Sequence, residues 1–214
     1  MSPAVIFNIQ LALGYVPWLL FFGAYVWPRL KALNQVEAQR AIATLHSFRF
    51  FGLVFIVPGV VGPNLPASFA TFAAYGDFAT GLLAMMALLT VRIRSVFWPF
   101  VIAFNLAGAI DIIVDYYHGN QFGLPALAGE LGATYAIPII YVPVLMITHF
   151  AAFYLLVRSQ LKAARAHILG RPPDLPNTWQ ATMIHYQSQS SFRFIARLPG
   201  MRWSAHHAEN LPRP

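Results

Sequence analysis

Five apolar stretches, at 4–27, 41–61, 67–91, 96–116 and 134–157, dominate the chain, and each is long enough to cross a lipid bilayer. A transmembrane helix needs about 20 mostly apolar residues, at a rise of 1.5 Å each, to cover a hydrocarbon core of about 30 Å. Only the first and last windows are free of Asp, Glu, Lys and Arg. None shows sustained alternation, and barrel strands would be about half as long, so strands are not expected. The composition agrees: 10% of residues are charged, against about 25% in an average soluble domain. The expected fold is all-α, a polytopic transmembrane bundle of five spans occupying residues 1–158, followed by a tail over 159–214. The absence of cysteine removes disulfides, thiolate nucleophiles, iron–sulfur clusters and cysteine-ligated zinc.

Pro28 follows the first span, and Pro58, Gly59, Gly62, Pro63, Asn64 and Pro66 crowd the second junction into a turn. Arg92–Ser95 leaves room only for a hairpin between spans three and four. The longest loop carries His118, Gly119, Asn120, Gly123, Pro125 and Glu130. Lys and Arg near span ends set orientation: Arg29, Lys31, Arg40, Arg92, Arg94, Arg158, Lys162 and Arg165 mark one side. The N-terminus is therefore expected outside and the C-terminus in the cytoplasm, in the cytoplasmic (inner) membrane. The first segment lacks a basic n-region and reads as a retained helix.

The tail has seven basic and two acidic residues, giving it +5 of the chain's formal charge of +7. Basic residues interleaved with Phe192, Phe194, Ile195, Leu198, Met201 and Trp203 suit anionic lipid headgroups on the cytoplasmic leaflet or a docking partner. No nucleic-acid recognition module is visible. A thin bundle of this size is compatible with a homo-oligomer or a partner in a larger membrane complex.

Charge inside a bilayer is costly, about 2.5–3.5 kcal/mol per group on insertion scales, so an intramembrane ionisable residue is a candidate functional residue. Counted from the expected cytoplasmic ends, His46, Arg49 and His149 fall at depths of about 8 to 13 Å, Asn105 at about 15 Å and Asp77 at about 22 Å. Asp111 and Asp115 fall at about 24 and 30 Å, as an acidic outer rim. These seven residues are the expected lining of a polar cavity enclosed by spans two to five. His46, Arg49 and Gly52 share one face of span two, and Asp77 and Gly81 one face of span three. Two readings of Arg49 and Asp77 stand side by side. Either they pair across the hairpin, or Arg49 snorkels to headgroups while Asp77 bonds Thr80 or Asn105.

Asp111, Asp115 and His118 fall on one stripe of span four with Gly108, and two carboxylates and an imidazole are donors for a divalent metal. His46 and His149, in one layer on different helices, are the candidate ligands of a b-type haem. The spacing of Asn105, Asp111 and Asp115 resembles the first acidic motif of UbiA-type membrane prenyltransferases, but no second Asp-rich motif follows, so that activity is not implied. The run Leu65-Pro66-Ala67-Ser68-Phe69-Ala70, then Gly76-Asp77 and Asn105-x2-Gly108-x2-Asp111, resembles bacterial membrane proteins of unassigned function. No nucleophile elbow, phosphate loop or zinc-protease helix occurs. The expected function is that of a small transporter, a proton- or ligand-binding component or an accessory subunit. The alternatives are a metal-dependent enzyme acting on a lipid-borne substrate, and a haem- or pigment-binding subunit.

Overall fold

The computed structural model describes residues 1–168. It is helical apart from its connecting turns, with no strand among the described residues. Residues 1–161 form one compact unit. The basic stretch at 169–214 lies outside the described residues.

Helix α1 (Pro3–Ala32) starts behind Ser2, whose hydroxyl accepts the Val5 N–H at 3.4 Å. It does not stop at Pro28, the break expected from sequence. Phe22–Val26 forms a π-turn in which the Trp27 N–H reaches back five residues to Phe22. That wider turn carries the helix past a residue with no N–H of its own. The same device recurs at Ile137–Tyr141, beside Pro138 and Pro143, where Val142 N–H bonds to the Ile137 carbonyl.

The second segment also differs from the expected single span over 41–61. Helix α2 (Gln35–Ser47) begins earlier, at Asn34, whose side chain accepts the Glu37 N–H at 3.0 Å. It then tightens into a 3-10 helix over Phe48–Ile56. With three residues per turn, that segment aligns Arg49, Gly52 and Phe55, which are the buried ones. Phe48, Phe50 and Phe51 are exposed, as lipid-facing residues are.

Helices α3 (Ala67–Leu89) and α4 (Arg94–Gln121) form a hairpin, and α5 (Val142–Ile168) follows the second π-turn. Four helices, α1, α3, α4 and the stretch Ile137–Leu161, are long and apolar enough to cross a membrane. The buried stripe of α3 is Ala70, Ala73, Ala74, Asp77, Thr80, Gly81, Ala84 and Ala87. Such small residues allow close helix approach where no water drives association.

The interior is not one apolar core. One cluster, with Leu30, Ile42, Ala84, Phe97, Phe104 and Leu155, fills the end expected to be cytoplasmic. A second, with Phe7, Phe55, Phe69, Leu124, Leu131 and Ile137, fills the opposite end. At that end Glu130 ties two loops together: its carboxylate accepts from the Asn64 backbone N–H at 3.1 Å and the Asn64 amide at 3.0 Å, and its carbonyl from Gly62 N–H at 2.6 Å. A third, smaller cluster is Ile112, Leu145 and Met146, and a polar layer lies between the first two.

Candidate functional site

Arg49 is the centre of that layer and is 1% exposed. Its Nε donates to Asp77 Oδ1 at 2.6 Å and its Nη2 to Asp111 Oδ2 at 2.5 Å. Nη1 donates to the Gly108 carbonyl at 3.2 Å and lies 3.4 Å from His149 Nε2. One guanidinium thus serves carboxylates from two helices, a backbone carbonyl and an imidazole, a use of the planar fork that lysine could not reproduce.

The meeting requires glycine on the facing helices. A Cβ on Gly108 would strike Arg49 Nη1, His149 Nε2 and Thr80, and one on Gly76 would overlap the Asp111 carboxylate. Gly81 likewise lets the backbone of Arg49 and Phe50 pack directly on α3, and Gly52 leaves room for Asp77.

The hydrogen-bond pattern fixes both imidazole tautomers. A guanidinium only donates, so His149 Nε2 accepts and its proton sits on Nδ1, which donates to Asn105 Oδ1 at 3.0 Å. Asn105 is oriented by its amide, which donates to the Val101 carbonyl at 2.8 Å. Thr148 spends its hydroxyl proton on the Val144 and Leu145 carbonyls, so it accepts from His46 Nε2 at 3.0 Å. His46 Nδ1 is then an acceptor, buried and without a partner among the described residues.

Arg49, Asp77, Asp111, Asn105, His149 and His46 therefore converge, whereas the depth count spread them over separate layers. The earlier start of α2 accounts for much of the difference: measured from Gln35, Arg49 lies about 22 Å in, close to the about 18 Å of Asp77 measured from Leu89. Asp111 is not an outer-rim residue either, being 7% exposed. Asp115 stands apart, one turn further out; its Oδ1 is buried and has no hydrogen-bond partner among the described residues. Asp77 and Asp115 both line a small, partly open pocket of about 50 Å³. The polar lining expected over the whole bundle is thus a packed network with one small space beside it.

The metal stripe is not assembled. Among the described residues no group of three His, Cys, Asp or Glu side chains is placed to hold a metal ion. Asp111 is engaged by Arg49, and the His118 ring packs edge-on against Phe72 at 4.8 Å and Phe122 at 6.0 Å. Nor do His46 and His149 fit a haem. Their rings are stacked with centroids 4.0 Å apart and planes 36° apart, leaving no room for a porphyrin between them.

Gln39 was not singled out from sequence, and two aromatic contacts accompany it. Gln39, fully buried, donates to the Ala152 carbonyl at 3.0 Å, and its spacing of seven from His46 puts both on one helix face. Tyr116 meets Tyr15 hydroxyl to hydroxyl at 2.9 Å. Trp18 turns inward, its indole donating to the Ile140 carbonyl at 2.7 Å beside the second π-turn.

No curated protein and no solved structure matches the chain. The pattern of a family described as a domain of unknown function, DUF8737, matches residues 6–157, which include every residue of the Arg49 network. The chain is a member of the DUF8737 family.

Proposed function

We propose that this protein is a five-pass protein of the cytoplasmic membrane that binds and passes protons at the Arg49 centre, as a small transporter or as the proton-handling subunit of a larger complex. The observation that carries the reading is the sharing of one buried guanidinium by two buried carboxylates, Asp77 and Asp111, with Asp115 one turn beyond. Three carboxylates face one cation in a low-dielectric layer. An uncompensated charge there neutralises in preference to staying ionised, so the surplus is taken up by exchangeable protons. Asp77 is the proposed gate, since it touches both Arg49 and the small pocket beside it.

Five passes are favoured because α2 and the 3-10 segment, 13 and 9 residues long, together extend about 37 Å, more than a hydrocarbon core of about 30 Å. With the basic residues on the inner side, the N-terminus is outside. The tail at 159–214 is proposed to rest on anionic headgroups. No observation favours the metal-enzyme or haem-subunit readings, and neither is carried further.

The test is proton flux in liposomes under an imposed pH gradient. Wild-type protein is expected to dissipate the gradient and Asp77→Asn to fall to the protein-free leak. Equal flux from both would reduce the centre to a helix-packing contact.

A further inference from the structure

We propose that the seam of polar and small side chains between α2 and α5 is the cytoplasmic proton path to the Arg49 centre, with water admitted along it and His46 as the relay that takes the proton at Nδ1. The inference rests on the proton-handling reading of that centre and deepens it by naming the inner route.

The seam follows from residue spacing. Gln35, Gln39, Ala43 and His46 form one stripe of α2, and Thr148, Ala152, Leu155 and Ser159 one stripe of α5. The two helices run in opposite directions, so the stripes meet as successive rungs. The Gln35 amide donates to Ser159 Oγ, the Gln39 amide to the Ala152 carbonyl at 3.0 Å, and His46 Nε2 to Thr148 Oγ1 at 3.0 Å. His149, next along α5, stacks on His46 with ring centroids 4.0 Å apart and lies 3.4 Å from Arg49 Nη1. The ladder thus runs from the half-buried Gln35–Ser159 pair, beside the basic Arg158, to the guanidinium itself.

Two acceptors on this seam are fully buried and have no donor among the described residues, Gln39 Oε1 and His46 Nδ1. A buried acceptor left without a donor costs as much as a lost hydrogen bond, and between packed helices water is the donor small enough to reach it. Gln39 and His46 are seven residues apart, about 10 Å of helix, which is the length of a file of three or four waters at about 2.8 Å each. On both stripes the positions along that stretch are alanines, Ala43 and Ala152. The one large apolar residue of the seam, Leu155, stands between the first two rungs.

A centre in the middle of a membrane passes protons only when it is reached from both faces. The small pocket of Asp77 and Asp115 lies on the outer side of Arg49, among Phe55, Leu124 and Leu131. On the inner side an apolar cluster with Ile42, Phe97 and Phe104 fills the bundle, and the seam is a polar line through it. His46 is faced by Phe104 of α4, with ring centroids 5.5 Å apart, and by Thr148 and His149 of α5. Beyond His149 stand Arg49 of the 3-10 segment, Asp77 of α3 and Asp111 of α4. Arg49 is one cation against those two carboxylates, so one added proton brings the group to neutrality. A hydronium in the seam gives its proton to His46 Nδ1 and becomes water, while the Nε2 proton stays on its bond to Thr148. That proton then passes through the stacked His149 to Asp77 or Asp111, which is neutralised as His46 is restored.

The experiment is water-edited solid-state NMR on the full chain with nitrogen-labelled histidine in liposomes, paired with the flux assay on the same samples. His46, identified by the loss of its signal in His46→Gln, is expected to receive magnetisation from water. Gln39→Met keeps the reach of the side chain without its amide, and is expected to lose that transfer at His46 and to lower flux toward the protein-free leak. His46→Gln keeps a donor for Thr148 but carries no proton, and is expected to lower flux about a hundredfold, the lower end of what a positioned proton-transfer group contributes. Absence of water contact at His46 in the wild type overturns the inference without any variant, so the test survives if Gln39→Met does not fold. Wild-type flux in His46→Gln overturns it equally. Flux that depends on Asp77 but ignores both seam variants removes the seam and leaves the transport reading. Water contact at His46 that Gln39→Met abolishes, in a protein carrying no flux, keeps the seam as a water site and removes the transport reading.

Discussion

Asp111 on α4 lays its carboxylate directly over Gly76 on α3, so closely that a methyl group at that position would occupy the same space as Oδ1. The residue before Asp77 therefore sets where the second carboxylate of the centre stands. Gly76→Ala is expected to push Asp111 off Arg49 and to destabilise the fold by about 3 kcal/mol, the typical cost of breaking a buried ion pair. Denaturant unfolding in detergent reads this, and Gly23→Ala on α1, where a Cβ meets nothing within 4 Å, is the control expected to change little.

Removing Arg49 alone leaves two carboxylates buried without their donor. Arg49→Met should cost about 3–5 kcal/mol, whereas the triple variant Arg49→Met, Asp77→Asn, Asp111→Asn should recover much of that loss. Thermal melts of the singles and the combination test the coupling. Strict additivity would mean that the three side chains do not act as one unit.

The imidazole of His149 is expected to carry its proton on Nδ1 and that of His46 on Nε2. Nitrogen chemical shifts of the labelled protein distinguish these tautomers directly. Asn105→Leu leaves the His149 Nδ1 donor unpaired, at an expected cost of about 1–3 kcal/mol, while Arg49 still holds the proton off Nε2, so the tautomers of His149 and His46 should both persist.

The clamp between Glu130 and Asn64 is exposed and correspondingly weak. Glu130→Ala is expected to cost about 1 kcal/mol and to accelerate hydrogen exchange at the backbone amide of Asn64, with no change at Asn105. Exchange followed by mass spectrometry on peptides from each region decides it.

The pairing of Arg49 with Asp77 was one of two arrangements open from helical spacing, because both lie on inward stripes of consecutive segments. A window that begins at Ala41 hides its depth. Arg40 and Glu37 look like loop charges, yet Asn34 followed by Glu37 three residues later is a helix-start signature, and reading it would have moved Arg49 inward. The convergence of Asp111 on the same guanidinium could not be read from sequence. The spacing of Asp111 and Asp115 suggests two carboxylates acting together, but burial and the small residue at Gly76 separate their partners. Pro28 looked like a stop because a proline denies the preceding turn a hydrogen bond; the π-turn that absorbs it depends on packing. Tyr15 with Tyr116, and Trp18 with the Ile140 carbonyl, join positions more than a hundred residues apart, and no local pattern encodes them.

The placing of the polar layer between the two larger apolar clusters has an electrical consequence. Hydrocarbon-like slabs are where a membrane voltage falls, so an ion or proton reaching Arg49 from either face crosses only part of the field. One elementary charge carried across the full drop exchanges about 2.3 kcal/mol per 100 mV. A charge that stops near the middle takes up roughly half of that. Occupancy of the centre would then follow the energised state of the membrane, rising or falling with voltage even when the concentrations on the two sides are held fixed.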